Sequence, residues 1–144
     1  FKKPNNDKII DGKQSKRALL NFDISVTCDK LQTFFELASK EVLKIHPSAR
    51  ICSFGHIGDG NFHFNILDEI GGSSDWKQKK VFIEKEIYNV LFKLNGSISA
   101  EHGIGKLKAE LLAKTKDKTA IEIMKKIKLV FDPKGLLNPG KIIR

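Results

Sequence analysis

The chain has 144 residues, 40% of them hydrophobic, which suits one domain with a single core burying roughly two thirds of its unfolded surface. No apolar run approaches the ~18 residues of a membrane span, and Cys28 and Cys52, without a Cys-x-x-Cys spacing, read as reduced thiols rather than a disulfide framework. The net charge of +9 sits at the ends: residues 1–20 hold six basic and two acidic groups, 21–100 nine and ten, and 101–144 eleven and five. Such a surface attracts anions, or is simply a solvated lysine face. Phe1 is not an initiator residue and no signal peptide is legible, so the chain reads as a processed or excised piece of a cytoplasmic protein, one peripheral to a membrane, or a mitochondrial one in a eukaryote.

In chain order, residues 1–17 read as a basic, flexible segment and 18–144 as the folded domain. Ala18 to Val26 is a β-rich strand, and Asp29 is placed to cap a helix from Lys30 to about Ile45 that buries Leu31, Phe34, Phe35, Ala38, Val42 and Ile45. Pro47 closes that helix. Ala49 to His56 and Asn61 to Leu67 follow as a hairpin, then a Gly71-Gly-Ser-Ser loop, with Ser74 or Asp75 capping a helix of about Trp76 to Leu94. Its inward residues are Val81, Ile83, Ile87, Val90, Leu91 and Leu94. Asn95-Gly96 leads to a short strand, Ser97 to Ala100, and two helices close the chain, about Lys106 to Ala113 and Lys118 to Phe131, the second stopped by Asp132-Pro133. The order strand, helix, strand, strand, helix, strand defines an α+β, ferredoxin-like βαββαβ fold: an antiparallel sheet with helices on one face, followed by C-terminal helices.

Asp59-Gly60 predicts a two-residue hairpin turn, which places His56 opposite His63 with Cβ atoms about 4.5–5.5 Å apart. By alternation Phe62, Phe64 and Ile66 point toward the helices, and His63 and Asn65 toward the open face with His56. Two imidazoles suit one metal ion, although a histidine on a sheet is more often only hydrogen-bonded. A carboxylate strengthens the case, and Glu101 lies just beyond the fourth strand, beside His102 and before Gly103-Ile-Gly105. Two histidines and a glutamate leave coordination positions open, as catalytic sites do. Adjacent Glu101 and His102 point in different directions, so one can bind metal while the other serves a reacting atom.

Gly55-His-Ile-Gly-Asp-Gly-Asn-Phe-His63, Ser99-Ala-Glu-His-Gly-Ile-Gly105 and Asp132-Pro-Lys-Gly-Leu-Leu-Asn-Pro-Gly-Lys141 together resemble the C-terminal domain of FAD-linked oxidases, nearest the D-2-hydroxy-acid dehydrogenases (D-lactate, D-2-hydroxyglutarate and glycolate-oxidising members). The resemblance runs from about Asn21 to Lys141, with Asp23-Ile-Ser-Val26 as a weaker upstream motif. It implies that His56, His63 and Glu101 hold a divalent metal such as zinc, that Asn65 contacts a small 2-hydroxy acid, and that His102 takes the hydroxyl proton as the α-hydrogen leaves as hydride to FAD. FAD would be held mainly by a flavin-binding domain supplied in cis or in trans. The chain alone is then expected to be inactive. Asn21 stands where relatives often have lysine, and Thr27-Cys28 replaces the usual proline, so the identity of the hydroxy acid stays open. The tail is expected to be poorly anchored without that partner domain. Nucleic acid is not expected as a partner, because the phenylalanines of the 61–67 strand face the helices rather than a base, and the oligomeric state stays open. A non-catalytic metal-binding or interaction domain is the alternative.

Overall fold

The computed structural model describes residues 8–10, 13–15, 19–68 and 75–143; the Gly71-Gly-Ser-Ser loop and the remainder of segment 1–17 lie outside the described residues. The chain divides into two units, Phe1–Glu101 and His102–Arg144. In the first, β1 (Lys8–Ile10) and β2 (Lys13–Ser15) pair as a two-stranded antiparallel sheet, a hairpin within a segment expected to be flexible.

The main sheet has three strands in the order β3 (Leu19–Ser25), β5 (Asn61–Asp68), β4 (Ala49–Phe54), both outer strands antiparallel to β5. β3 and β4 therefore run parallel with β5 between them, the split arrangement of a ferredoxin-like sheet. The fourth strand is reduced. Ser97 alone bridges Ser25 antiparallel, exchanging hydrogen bonds of 3.1 and 2.7 Å, before the chain turns away at Ser99. That single bridge still puts the Ser97–Glu101 segment along the outer edge of β3.

α1 (Leu31–Ile45) and α2 (Trp76–Lys93) cover one face of the sheet. Phe34 of α1 meets Phe64 and Phe62 edge-on, with ring centres 5.7 and 6.1 Å apart, and Tyr88 of α2 meets Phe22 at 5.7 Å. Phe22, Phe34, Phe64, Ile66, Ile83, Ile87 and Leu91 are buried in this layer. Val81 was expected there and is exposed, one position beyond the apolar stripe that Ile83, Ile87 and Val90 define. Phe35 is half on the surface yet leans its ring toward Phe62 and Phe64.

Two helix starts depart from expectation. α1 begins after a 3-10 turn at Cys28–Lys30, so Asp29 falls inside that turn and Lys30 is the cap residue, its side chain donating to the Leu94 carbonyl at 3.2 Å rather than capping the helix. Asp75 occupies the cap position of α2 but binds Lys79 at 2.8 Å instead of the helix amides. At the end of α1, buried His46 binds buried Asp68 of β5 across 3.1 Å, which satisfies two polar groups the core would otherwise strand.

In the second unit, α3 (Ala109–Thr115) starts later than expected, and α4 (Lys118–Phe131) is capped by Asp117, which accepts from the Ala120 amide at 3.0 Å. The tail, expected to be poorly anchored without a partner domain, is held by its own residues. Asp132, buried just past α4, accepts the Leu136 and Leu137 amides, each at 2.9 Å, and the Lys128 ammonium, while Lys128 also donates to the Leu137 carbonyl at 2.6 Å. The Lys128 hydrogen bond, followed by the two amides, holds the Asp132 carboxyl below its usual pKa. A depressed folded-state pKa contributes stability that is present above the ordinary carboxylate range and is lost as pH falls through the folded value. The stability difference between wild type and Asp132→Asn, measured by thermal melting across a pH series, is therefore expected to be widest near neutrality and to narrow below about pH 4.

Candidate functional site

The site is built on the sheet face opposite the helices. In register, Asn21, Asp23 and Ser25 of β3 stand against Asn65, His63 and Asn61 of β5, and Cys52 and Phe54 of β4 stand against Asn65 and His63 from the other side. Because alternate residues share a face, Asp23, Asn61, His63 and Asn65 all lie on the uncovered side. The sequence-based placement of His63 and Asn65 on that side holds.

The expected pairing of His56 with His63 does not. Phe54 is opposite His63, its ring 5.2 Å from the imidazole, and β4 ends there. The connection to β5 is longer than two residues: the His56 carbonyl accepts the Asp59 and Asn61 amides at 3.0 and 3.2 Å, closing a 3-10 turn over Ile57–Asp59. Gly60 follows in the left-handed region at φ 67°, and its carbonyl accepts the Val26 amide at 3.1 Å. A Cβ at Gly60 would stand 1.9 Å from the Val26 carbonyl oxygen, so only glycine lets the turn close against β3. His56 thus belongs to the loop rather than the ladder. Its charge still adds, as the smallest contribution, to the lowering of the Glu101 pKa.

Glu101 arrives at His63 because the Ser97 bridge and Asp23 lead it there. Asp23, 5% exposed, accepts the Ser99 hydroxyl at 2.9 Å, the Ala100 amide at 3.2 Å and the Glu101 amide at 3.3 Å. The Glu101 carboxylate then lies 2.6 Å from Nε2 of His63, while Nδ1 of the same ring faces Asp23 at 3.8 Å. Asp23, His63 and Glu101 each offer a ligand atom within 4.8 Å of the others. The Asn61 amide and then the His63 ring hydrogen-bond the Glu101 carboxyl and hold its pKa below the ordinary value, so it is a carboxylate at neutral pH. Asn61 is itself buried, and its Oδ1 finds no hydrogen-bond partner among the described residues. His102, an exposed residue, follows Glu101 and opens the second unit.

Imidazole and carboxylate donors gathered this closely, beside an orphaned amide oxygen, fit a divalent cation of the zinc type. A divalent cation held by His63 and Glu101 would take the place of the short hydrogen bond between them. Asp23 and Asn61 are the residues that sequence reasoning missed as members of this group. Asn61 shares the alternation of His63 and Asn65, which is the signal that could have found it.

The architecture and this side-chain group are those of an α+β domain with a polar, metal-capable open face. The family model described as FAD linked oxidases, C-terminal domain, matches residues 7–142, and the chain belongs to that family. It is 44% identical over 121 residues, 83% of this chain and 26% of the relative, to a D-2-hydroxyglutarate dehydrogenase of Stutzerimonas stutzeri (strain A1501). It is 38% identical over 121 residues, 83% of this chain and 25% of the relative, to a D-lactate dehydrogenase of Anaerostipes hadrus. A mitochondrial D-2-hydroxyglutarate dehydrogenase of Bos taurus is 31% identical over 138 residues, 95% of this chain and 24% of that protein. The chain spans about a quarter of the length of these curated relatives. No helix among the described residues is long and apolar enough to cross a membrane.

Proposed function

We propose that this chain is the substrate- and metal-binding part of a flavin-dependent dehydrogenase that oxidises a D-2-hydroxy acid to a 2-oxo acid. The observation that carries this reading is the meeting of His63 and Glu101 at 2.6 Å on the open face, beside buried Asp23, in a member of the FAD-linked oxidase family. His63 and Glu101 are assigned as metal donors, with His56, in the loop beyond β4, as the third. Zinc held there would supply positive charge to a carboxylate and hydroxyl beside it, and FAD, carried by a partner domain in cis or in trans, would accept the hydride.

The remaining work falls to this chain's own groups. Asn65, two positions from His63 on the same face, offers an amide donor to the substrate without adding charge to the donor set. His102 is assigned as the base that takes the hydroxyl proton, a role suited to a side chain whose ordinary pKa lies near neutrality. The basic ends of the chain favour an anionic substrate.

The reading is tested by titrating the chain with zinc in a calorimeter and by joining it to the flavin-binding portion of a relative. One zinc per chain, with anaerobic bleaching of the flavin by D-2-hydroxyglutarate, D-lactate or glycolate, is the expected result. Zinc uptake with no flavin reduction by any hydroxy acid would instead favour a non-catalytic metal-binding domain, and no uptake at all would remove the metal from the reading.

A further inference from the structure

We propose that Asp23 is a positioning residue for the metal-binding face, acting on both donors at once: it pins the backbone that carries Glu101, and it favours the Nδ1-protonated ring of His63 that a metal on Nε2 requires. The inference rests on the assignment of His63 and Glu101 as metal donors. Three observations point to Asp23. It is 5% exposed in a β-strand, where a carboxylate is costly to bury unless it is satisfied. Its Oδ2 gathers the Ser99 hydroxyl and the Ala100 and Glu101 amides, at 2.9, 3.2 and 3.4 Å, fixing the chain immediately before the Glu101 side chain. Its Oδ1 faces Nδ1 of His63 at 3.8 Å, on the far side of the ring from Glu101.

A neutral imidazole has one donor and one acceptor nitrogen. Without metal, Nε2 donates to the Glu101 carboxylate at 2.6 Å; to offer its Nε2 lone pair to a metal instead, His63 must carry its proton on Nδ1, and the negative Asp23 oxygen on that side favours the tautomer. Carboxylate, imidazole and metal donor in sequence form an orienting triad, in which the outer carboxylate fixes the ring and raises its basicity as a ligand. Cross-strand pairing makes the arrangement rigid, because Asp23 is directly opposite His63 in the β3–β5 ladder.

Asp23→Asn separates this role from simple support of the fold. An asparagine with its Oδ1 toward Ser99 keeps the acceptor contacts to the Ser99 hydroxyl and the Ala100 and Glu101 amides at that atom, but gives up the second contact to the Glu101 amide at 3.3 Å and turns an NH2 group toward Nδ1 of His63, where it opposes a protonated Nδ1. The expected result is a variant with wild-type circular dichroism whose zinc affinity falls about 10–100-fold, while in the zinc-loaded wild type long-range 1H–15N spectra place the His63 proton on Nδ1. Zinc affinity within about threefold of wild type, below the losses seen when such outer partners are removed, overturns the role of Asp23 and leaves the metal assignment standing. Should the variant not fold, the wild-type chain with zinc decides: Nε2 bound and Nδ1 protonated supports the proposal, and zinc on Nδ1 overturns it. A wild-type chain that takes up no zinc removes the metal assignment and this inference with it.

Discussion

Replacing His63 by alanine is expected to lower zinc affinity by more than about 100-fold and to abolish flavin reduction in the protein joined to its flavin-binding portion, a loss larger than removal of an outer partner produces. Glu101→Gln is expected to behave in the same way, because it removes the charge that faces Nε2 of His63 while preserving the shape of the side chain. His102→Ala is expected to divide the two properties. Zinc stays at wild-type stoichiometry, and the chemical step slows by roughly 10²–10⁴-fold, the usual contribution of a positioned base. Metal content by atomic absorption and single-turnover flavin bleaching measure the two separately. An inactive His102→Ala protein that had also lost its zinc would overturn the assignment of His102 as the base.

The elements were readable in this chain wherever hydrophobic period and stop signals agreed. Lys118–Phe131 ends where Asp132-Pro133 ends it, and Trp76–Lys93 lies within a residue of the expected span, because an apolar stripe and a helix terminator act locally. The open face was readable too, since alternation along Phe62-His63-Phe64-Asn65 needs no partner to be interpreted. Register across the hairpin was not. Asp-Gly favours a two-residue turn, but Gly60 is instead held by the Val26 amide just past β3, a contact 34 positions away that no local preference encodes. That longer connection moves His56 off the ladder and puts Phe54 opposite His63.

Asp23 shows the other kind of omission. A carboxylate inside the apolar run Leu19–Val26 was a visible anomaly, but its meaning depends on a neighbour. Only the antiparallel pairing of β3 with β5 places it across from His63, and only the Ser25–Ser97 bridge brings the amides of Ala100 and Glu101 to it. A buried charge is a question that the chain poses locally and the tertiary structure answers. The same holds for His46 and Asp68, 22 residues apart in the chain and paired in the core.

Truncating Phe34 to alanine is expected to cost the first unit roughly 3–5 kcal/mol, the range for a fully buried aromatic ring, and so about a fifth or more of the stability of a typical domain. Phe34 is wholly buried, and its ring is the wedge against which Phe62 and Phe64 are set edge-on, so removal leaves a cavity beneath the central strand rather than a gap that side chains at the rim can close. Urea unfolding followed by tryptophan fluorescence from Trp76 measures the loss, and Phe34→Leu is expected to retain most of the stability. The two faces of β5 then make a sharper claim. Phe64 points into the layer that Phe34 supports, whereas His63 and Asn65 point the opposite way, held by Asp23, Glu101 and the ladder to β3. At temperatures where the variant is still folded, its zinc affinity should therefore match wild type within about threefold, with the stability loss confined to the melting behaviour. A large fall in zinc affinity in folded Phe34→Ala protein would mean that the aromatic layer, and not the edge contacts of β3, sets the geometry of the open face.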